Sequence, residues 1–87
     1  MLVNNVEERD PHGEKIHKAS DKEIVETINV NTFPITFMTR FLGPALKERS
    51  QDKQKSAIIN MTSVYSWYLA YNSPIYTSGK SFSDVLS

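Results

Sequence analysis

Three side chains in the second half of the sequence, Ser63, Tyr76 and Lys80, have types and a spacing suited to proton transfer. Tyr76 and Lys80 stand four residues apart, so on a helix they share one face with Cβ atoms about 5–6 Å apart. A nearby ammonium group stabilises phenolate and lowers a tyrosine pKa from its reference value of about 10. Such a tyrosine can exchange a proton with a carbonyl or an alcohol near neutral pH. Taken alone, however, a Tyr-x-x-x-Lys spacing is common by chance, and a serine after a strand is usually a turn residue.

These side chains need a scaffold, and hydrophobic patterning predicts an α/β one. Residues 1–6 predict the end of a short buried strand that runs into a polar turn, and residues 57–62 predict a second strand. The continuous apolar run of the second strand is typical of a parallel strand covered on both faces. A final helix is predicted from about Pro74. The order strand, helix, strand, helix indicates an α/β fold with a right-handed crossover.

A polar loop is predicted after the first strand. Between residues 7 and 23, Ile16 is the only large aliphatic residue, and residues 10–13 have the composition of a turn. The loop is expected to end at Ser20, since Ser20 and Glu23 match a capping box, which marks the start of a helix.

Helical periodicity follows this cap, and it predicts two helices, residues 21–29 and 32–48. The division rests on Pro34, because proline is tolerated in a first helical turn but not in a helix interior. Gly43 and Pro44 are expected to bend the second helix.

Size and composition exclude several classes of protein. The 87 residues allow one small domain at most, and 10 Lys and Arg against 10 Asp and Glu leave no basic surplus for nucleic acid. Cysteine is absent, and His12 and His17 lack a fitting third ligand, so no metal site is expected. Apolar runs fall far short of the ~20 residues that a membrane span requires.

The spacing of the three reactive residues also carries a family resemblance. Ser63, twelve intervening residues, Tyr76, three more and Lys80 resemble the signature of the short-chain dehydrogenase/reductase family. Three further segments resemble the family in the same order. Residues 2–6 resemble the family's Asn-Asn-Ala/Val-Gly turn after its fourth strand. Residues 29–31 resemble its Asn-bearing helix junction, and residues 58–63 resemble its fifth strand. Residues 4–6 and 31–40 look most like the 17β-hydroxysteroid dehydrogenase and very-long-chain 3-oxoacyl-CoA reductase branch.

This resemblance implies a role for each of five residues. Tyr76 would be the general acid in ketone reduction, and Ser63 would orient and polarise the carbonyl. Lys80 would lower the Tyr76 pKa and hold the nicotinamide ribose. Asn31 would keep a water in a proton relay to Lys80, and Asn4 would lie near the adenosine ribose and support the sheet. The cofactor would be NADP, with NAD as an alternative.

The resemblance also implies that residues 1–87 are only the central catalytic segment of an NAD(P)-binding domain, a fragment of a doubly wound Rossmann-type parallel sheet. The Gly-rich cofactor motif and the C-terminal strands of the family have no counterpart here, and Glu7 stands where the family usually has glycine. The substrate would be a hydrophobic ketone, steroid-like or a 3-oxoacyl-CoA.

Several further expectations follow from the same resemblance. The 87-residue chain alone is expected to be inactive, and a homo-oligomer is expected to form through helix 32–48. The location would be the cytoplasm or the endoplasmic reticulum. A second interpretation stays open, in which the chain is a truncated, non-catalytic fragment that is inactive or associates with a full-length relative.

Overall fold

The computed structural model describes residues 1–10 and 15–87 as two strands and two long helices. In chain order the elements are β1 (Leu2–Asn4), α1 (Asp21–Gln51), β2 (Ile58–Asn60) and α2 (Pro74–Leu86). Short 3₁₀ turns at Ile16–Lys18 and Val64–Ser66 precede the two helices. Residues 11–13 of the predicted turn lie outside the described residues. His12, which was expected not to take part in a metal site, lies outside them as well. Within the described part of the chain, no helix is long and apolar enough to cross a bilayer.

The two strands pair in parallel, as predicted, with Leu2 opposite Ile58 and Asn4 opposite Asn60. The Asn4 side-chain amide donates to Asn60 Oδ1 at 2.7 Å, so a side-chain bond reinforces the end of the ladder. Both strands are shorter than the predicted spans. The described residues do not cover both faces of β2, since Ile58 and Ile59 remain 40% and 42% exposed. A two-stranded sheet leaves apolar positions that only further layers could cover.

The predicted capping box is present at the start of α1. Ser20 Oγ accepts from the Glu23 N–H at 3.3 Å, and Glu23 Oε2 accepts from the Ser20 N–H at 2.8 Å. These reciprocal bonds satisfy two of the donors that a helix start leaves without an intrahelical partner.

The prediction of two helices is wrong, because α1 continues from Asp21 to Gln51 through both Pro34 and Pro44. The local proline rule is overridden by packing. Thr27, Asn31 and Ile35 are buried at four-residue spacing along one side of α1. The same face of the helix therefore packs against the rest of the molecule on either side of Pro34. Burial of that face offsets the loss of the backbone hydrogen bond at Pro34. No residue from 41 to 50 is buried, so this packing does not explain the second proline, Pro44.

A close approach between α1 and α2 organises the small core. A Cβ atom placed on Gly79 would lie 2.7 Å from Cβ of Asn31, which is closer than real Cβ contacts. The helices can meet there only because residue 79 has no side chain. The buried apolar residues of the core are Leu2, Ile35, Ala70, Ile75 and Tyr76.

We expect Gly79→Ala to destabilise the chain, although alanine is the better helix former by about 1 kcal/mol. The added methyl group must push Asn31 and α1 away, and overpacking of this kind typically costs ~1–3 kcal/mol. The measurement is the urea midpoint followed by circular dichroism.

Gly43→Ala is the matched control, because nothing lies within 4 Å of a Cβ at that position. Its gain in helix propensity is opposed by the following Pro44, which disfavours helical backbone at a preceding residue with a Cβ. A small effect is therefore expected. An unchanged or raised midpoint for Gly79→Ala would show that the helices do not approach as closely as described.

Candidate active site

Tyr76 and Lys80 lie on the buried face of α2, as their spacing predicted. Each residue is only 2% exposed, and Lys80 Nζ lies 5.6 Å from the centre of the Tyr76 ring. Lys80 Nζ also donates to the Met61 carbonyl at 2.9 Å, just beyond the end of β2. A buried ammonium requires such partners, because burial without hydrogen bonds would be very costly.

Ser63 reaches the same place from the carboxyl end of β2. Its Oγ accepts from the Tyr65 N–H at 3.2 Å and so caps the turn Val64–Ser66. Ser63 lies near enough to Tyr76 to act on the pKa of the phenol, and the Tyr65 ring packs edge-on against the Tyr76 ring with 6.2 Å between the ring centres. The structure therefore brings together Ser63, Tyr76 and Lys80, which are separated by twelve and by three intervening residues in the sequence.

Glu7 joins these residues, a contact that the sequence analysis missed. Its Oε2 accepts from Tyr76 Oη at 3.0 Å and from Lys80 Nζ at 3.0 Å. Glu7 follows β1, so the carboxyl ends of both strands supply groups to one site. The sequence did offer a signal for this contact. An acidic residue follows the first strand, and the Tyr–Lys pair had no assigned hydrogen-bond acceptor.

Asn31 holds the main chain next to Glu7 in place. Its side-chain amide donates to the carbonyls of Glu8 and Thr27, both at 2.7 Å, and its Oδ1 accepts from the Glu8 N–H at 3.3 Å. All the bonds described for this side chain thus go to backbone groups. The roles predicted for Asn31 in a water relay and for Asn4 near a cofactor stay predictions.

Residues 7–10, called the 7–10 strap from here on, lie along the start of α2. The Asp10 carboxylate accepts from the N–H groups of Ile75 and Tyr76 at 3.2 and 3.0 Å. A carboxylate at this end of a helix also meets the positive end of the helix dipole. The Arg9 guanidinium lies 5.8 Å from the centre of the Tyr76 ring. Every residue of the strap therefore contacts α2 or Asn31.

The electrostatics of the site differ from the sequence-based expectation. Burial raises the pKa of Tyr76 above its ordinary value; a hydrogen bond from Ser63 opposes this, while the hydrogen bond and the charge of Glu7 add to it. The lowered Tyr76 pKa expected from the resemblance is not found in this arrangement, where burial of the phenol has the largest effect on that pKa. Hydrogen bonds from Lys80 and Tyr76 hold the pKa of Glu7 below its ordinary value.

Tyr76 is consequently a protonated acid at neutral pH, with a serine hydroxyl and an ammonium group beside it. Such a group can give a proton to an oxygen that enters the site. Among residues 1–10 and 15–87, no group of three or more His, Cys, Asp or Glu side chains could hold a metal ion.

Two comparisons with known proteins give a match to this chain. The family model described as short chain dehydrogenase matches residues 1–87. A solved structure described as 4-hydroxyisoleucine dehydrogenase complexed with NADH matches 98% of this chain with a TM-score of 0.78 and 22% sequence identity. The chain spans 35% of the length of that structure. A comparison with curated proteins finds no match.

The structural match shows a shared fold. Two parallel strands joined through α1 and followed by α2 form part of a Rossmann-type α/β sheet, as the sequence predicted.

The lowered pKa of Glu7 predicts how stability changes with pH. A carboxyl group whose pKa is lower in the folded state stabilises the fold at pH values above its ordinary pKa, and this contribution is lost as the pH falls through the folded-state value. We therefore expect the stability difference between the wild type and Glu7→Gln to be largest above pH 4.5 and to shrink on acidification. Urea unfolding at several pH values measures it.

Glu8→Gln is the matched control for this titration, since it removes one neighbouring, exposed carboxylate. Its stability should follow the wild-type pH dependence. If Glu7→Gln keeps the full wild-type response to acid, the Glu7 contact with Lys80 and Tyr76 does not contribute to folding.

Proposed function

This chain belongs to the short chain dehydrogenase family, and on that premise we propose that residues 1–87 are the central catalytic segment of an NAD(P)-dependent carbonyl reductase or alcohol dehydrogenase. One observation carries the proposal. The side chains of Ser63, Tyr76 and Lys80 meet at the carboxyl ends of two parallel strands, which is where open α/β sheets place their ligands.

The proposed chemistry begins with the proton of Tyr76. A raised pKa keeps the phenol protonated, so Tyr76 Oη donates to the carbonyl oxygen of a ketone while Ser63 Oγ hydrogen-bonds to the same oxygen. The nearby Lys80 ammonium then stabilises the phenolate that remains. The hydride that reduces the carbonyl carbon would come from a nicotinamide cofactor when one is bound. In alcohol oxidation the same residues work in reverse, with Tyr76 as the base.

The residues present fit part of a nicotinamide site. Lys80 is a buried ammonium with three N–H donors, and the described acceptors for it are Glu7 Oε2 and the Met61 carbonyl. A ribose hydroxyl is an acceptor of suitable chemistry for a further donor. We propose that Lys80 holds this hydroxyl, that Asn31 maintains a proton relay to Lys80, and that Asn4 lies near the adenosine ribose. NADP is the proposed cofactor, with NAD as the alternative.

The proposed substrate is a hydrophobic ketone, steroid-like or a 3-oxoacyl-CoA. Its support is the likeness of residues 4–6 and 31–40 to the 17β-hydroxysteroid dehydrogenase branch. A second support is the apolar loop that follows Ser63, where large side chains are exposed; they are Trp67, Tyr68, Leu69 and Tyr71. Exposed aromatic and aliphatic side chains such as these would suit an apolar ligand.

A second candidate function is a non-catalytic one, in which the chain associates with a full-length relative. The Glu7 contact favours it, because the proton of Tyr76 is already donated to a carboxylate of the same chain. Exposed rings on α1 would suit such an association, with Phe33 edge-on to Phe37 and Phe37 stacked on Phe41.

The decisive experiment measures NADPH- and NADH-dependent ketone reduction by a complete nucleotide-binding domain that contains residues 1–87. We expect Tyr76→Phe to lower kcat by about 10²-fold or more, the usual contribution of a general acid, without loss of cofactor binding. Tyr65→Phe is the matched control, because Tyr65 packs on Tyr76 but is assigned no proton.

Wild-type activity in Tyr76→Phe would overturn the assignment of the proton donor. A complete domain that binds the cofactor but transfers no hydride to any ketone would overturn the enzymatic proposal in favour of the second candidate.

A further inference from the structure

Glu7 occupies the place in the site where a reacting oxygen would have to bind. One atom, Glu7 Oε2, accepts from both Tyr76 Oη and Lys80 Nζ at 3.0 Å. We propose that Glu7 is an internal ligand of these two donors, which a carboxylate, carbonyl or hydroxyl oxygen from outside must displace. The contact is thus autoinhibitory, and its bearing on catalysis rests on the proposed function.

The burial of the three partners supports this assignment. Tyr76 and Lys80 are almost fully buried, whereas the Glu7 side chain is 45% exposed and so reaches the donors from the solvent side. Without Glu7, a phenolic O–H and an ammonium would remain in a partly desolvated site with one acceptor fewer. An unpaired buried donor is costly, so the vacated position favours any ligand that brings an anionic oxygen.

The rest of the 7–10 strap does not depend on the Glu7 carboxylate. Glu8 is held through its backbone by Asn31, and Asp10 is held by two N–H groups of α2. Rotation of the Glu7 side chain alone would therefore uncover Tyr76 and Lys80 while the backbone around them stays in place. The site would open without local unfolding.

An internal ligand lowers the apparent affinity for every external one. The observed dissociation constant equals the intrinsic constant divided by the fraction of molecules in which the site is open. Removal of the Glu7 carboxylate sets that fraction close to one. External ligands with an anionic oxygen should then bind more tightly, and simple carboxylates should bind best because they reproduce the group removed.

The test uses the full chain with acetate as the probe, at constant ionic strength set by chloride. We expect acetate to shift the Tyr76 side-chain NMR resonance of Glu7→Ala in a saturable way. In the wild type, we expect acetate to bind at least tenfold more weakly, or not detectably. Glu8→Ala is the matched control and should behave as the wild type does. Tyr76→Phe assigns the resonance.

Equal responses to acetate in Glu7→Ala and the wild type would overturn the proposal. If Glu7→Ala does not fold, as judged by circular dichroism, Glu7→Leu replaces it under the same criterion, because it keeps much of the side-chain volume and has no oxygen to accept from Tyr76 or Lys80. This readout needs no cofactor, so its failure leaves the proposed function standing. Conversely, acetate binding in a variant whose complete domain transfers no hydride would uphold the internal ligand and reject the enzyme.

Discussion

The close contact between α1 and α2 at Gly79 is the constraint on which the rest of the structure depends. Because Gly79 has no side chain, Asn31 lies directly against α2, one residue from Lys80. From that position the Asn31 amide binds both backbone groups of Glu8. Glu8 in turn fixes the neighbouring Glu7 within reach of Tyr76 and Lys80. A single missing Cβ thus connects helix packing to the electrostatics of the site.

The local parts of this arrangement could be predicted from the sequence. The capping box at Ser20, the parallel pairing of the strands and the shared face of Tyr76 and Lys80 all depend on residues close in sequence or on apolar runs. The division of α1 at Pro34 was wrong for the same reason, since a local rule was applied where packing of the continuous Thr27–Ile35 face decides the outcome.

The contacts of Glu7 were not predicted, because they join distant parts of the chain. Glu7 and Tyr76, for example, are 69 positions apart in the sequence. The sequence analysis noted only that a carboxylate stood where the family has glycine. The Tyr76 pKa is raised instead of lowered chiefly because the phenol is buried, and the hydrogen bond and the charge of Glu7 add to that rise.

The placement of α1 between the two strands also has a consequence for synthesis of the chain. β1 leaves the ribosome before β2, and the two strands can pair only after Ile58–Asn60 has been translated. In the interval α1 can form from local contacts alone, with Ser20 as its starting point, whereas the edge of β1 that later pairs with β2 stays open. That edge can mispair in the nascent chain until β2 is available to cover it.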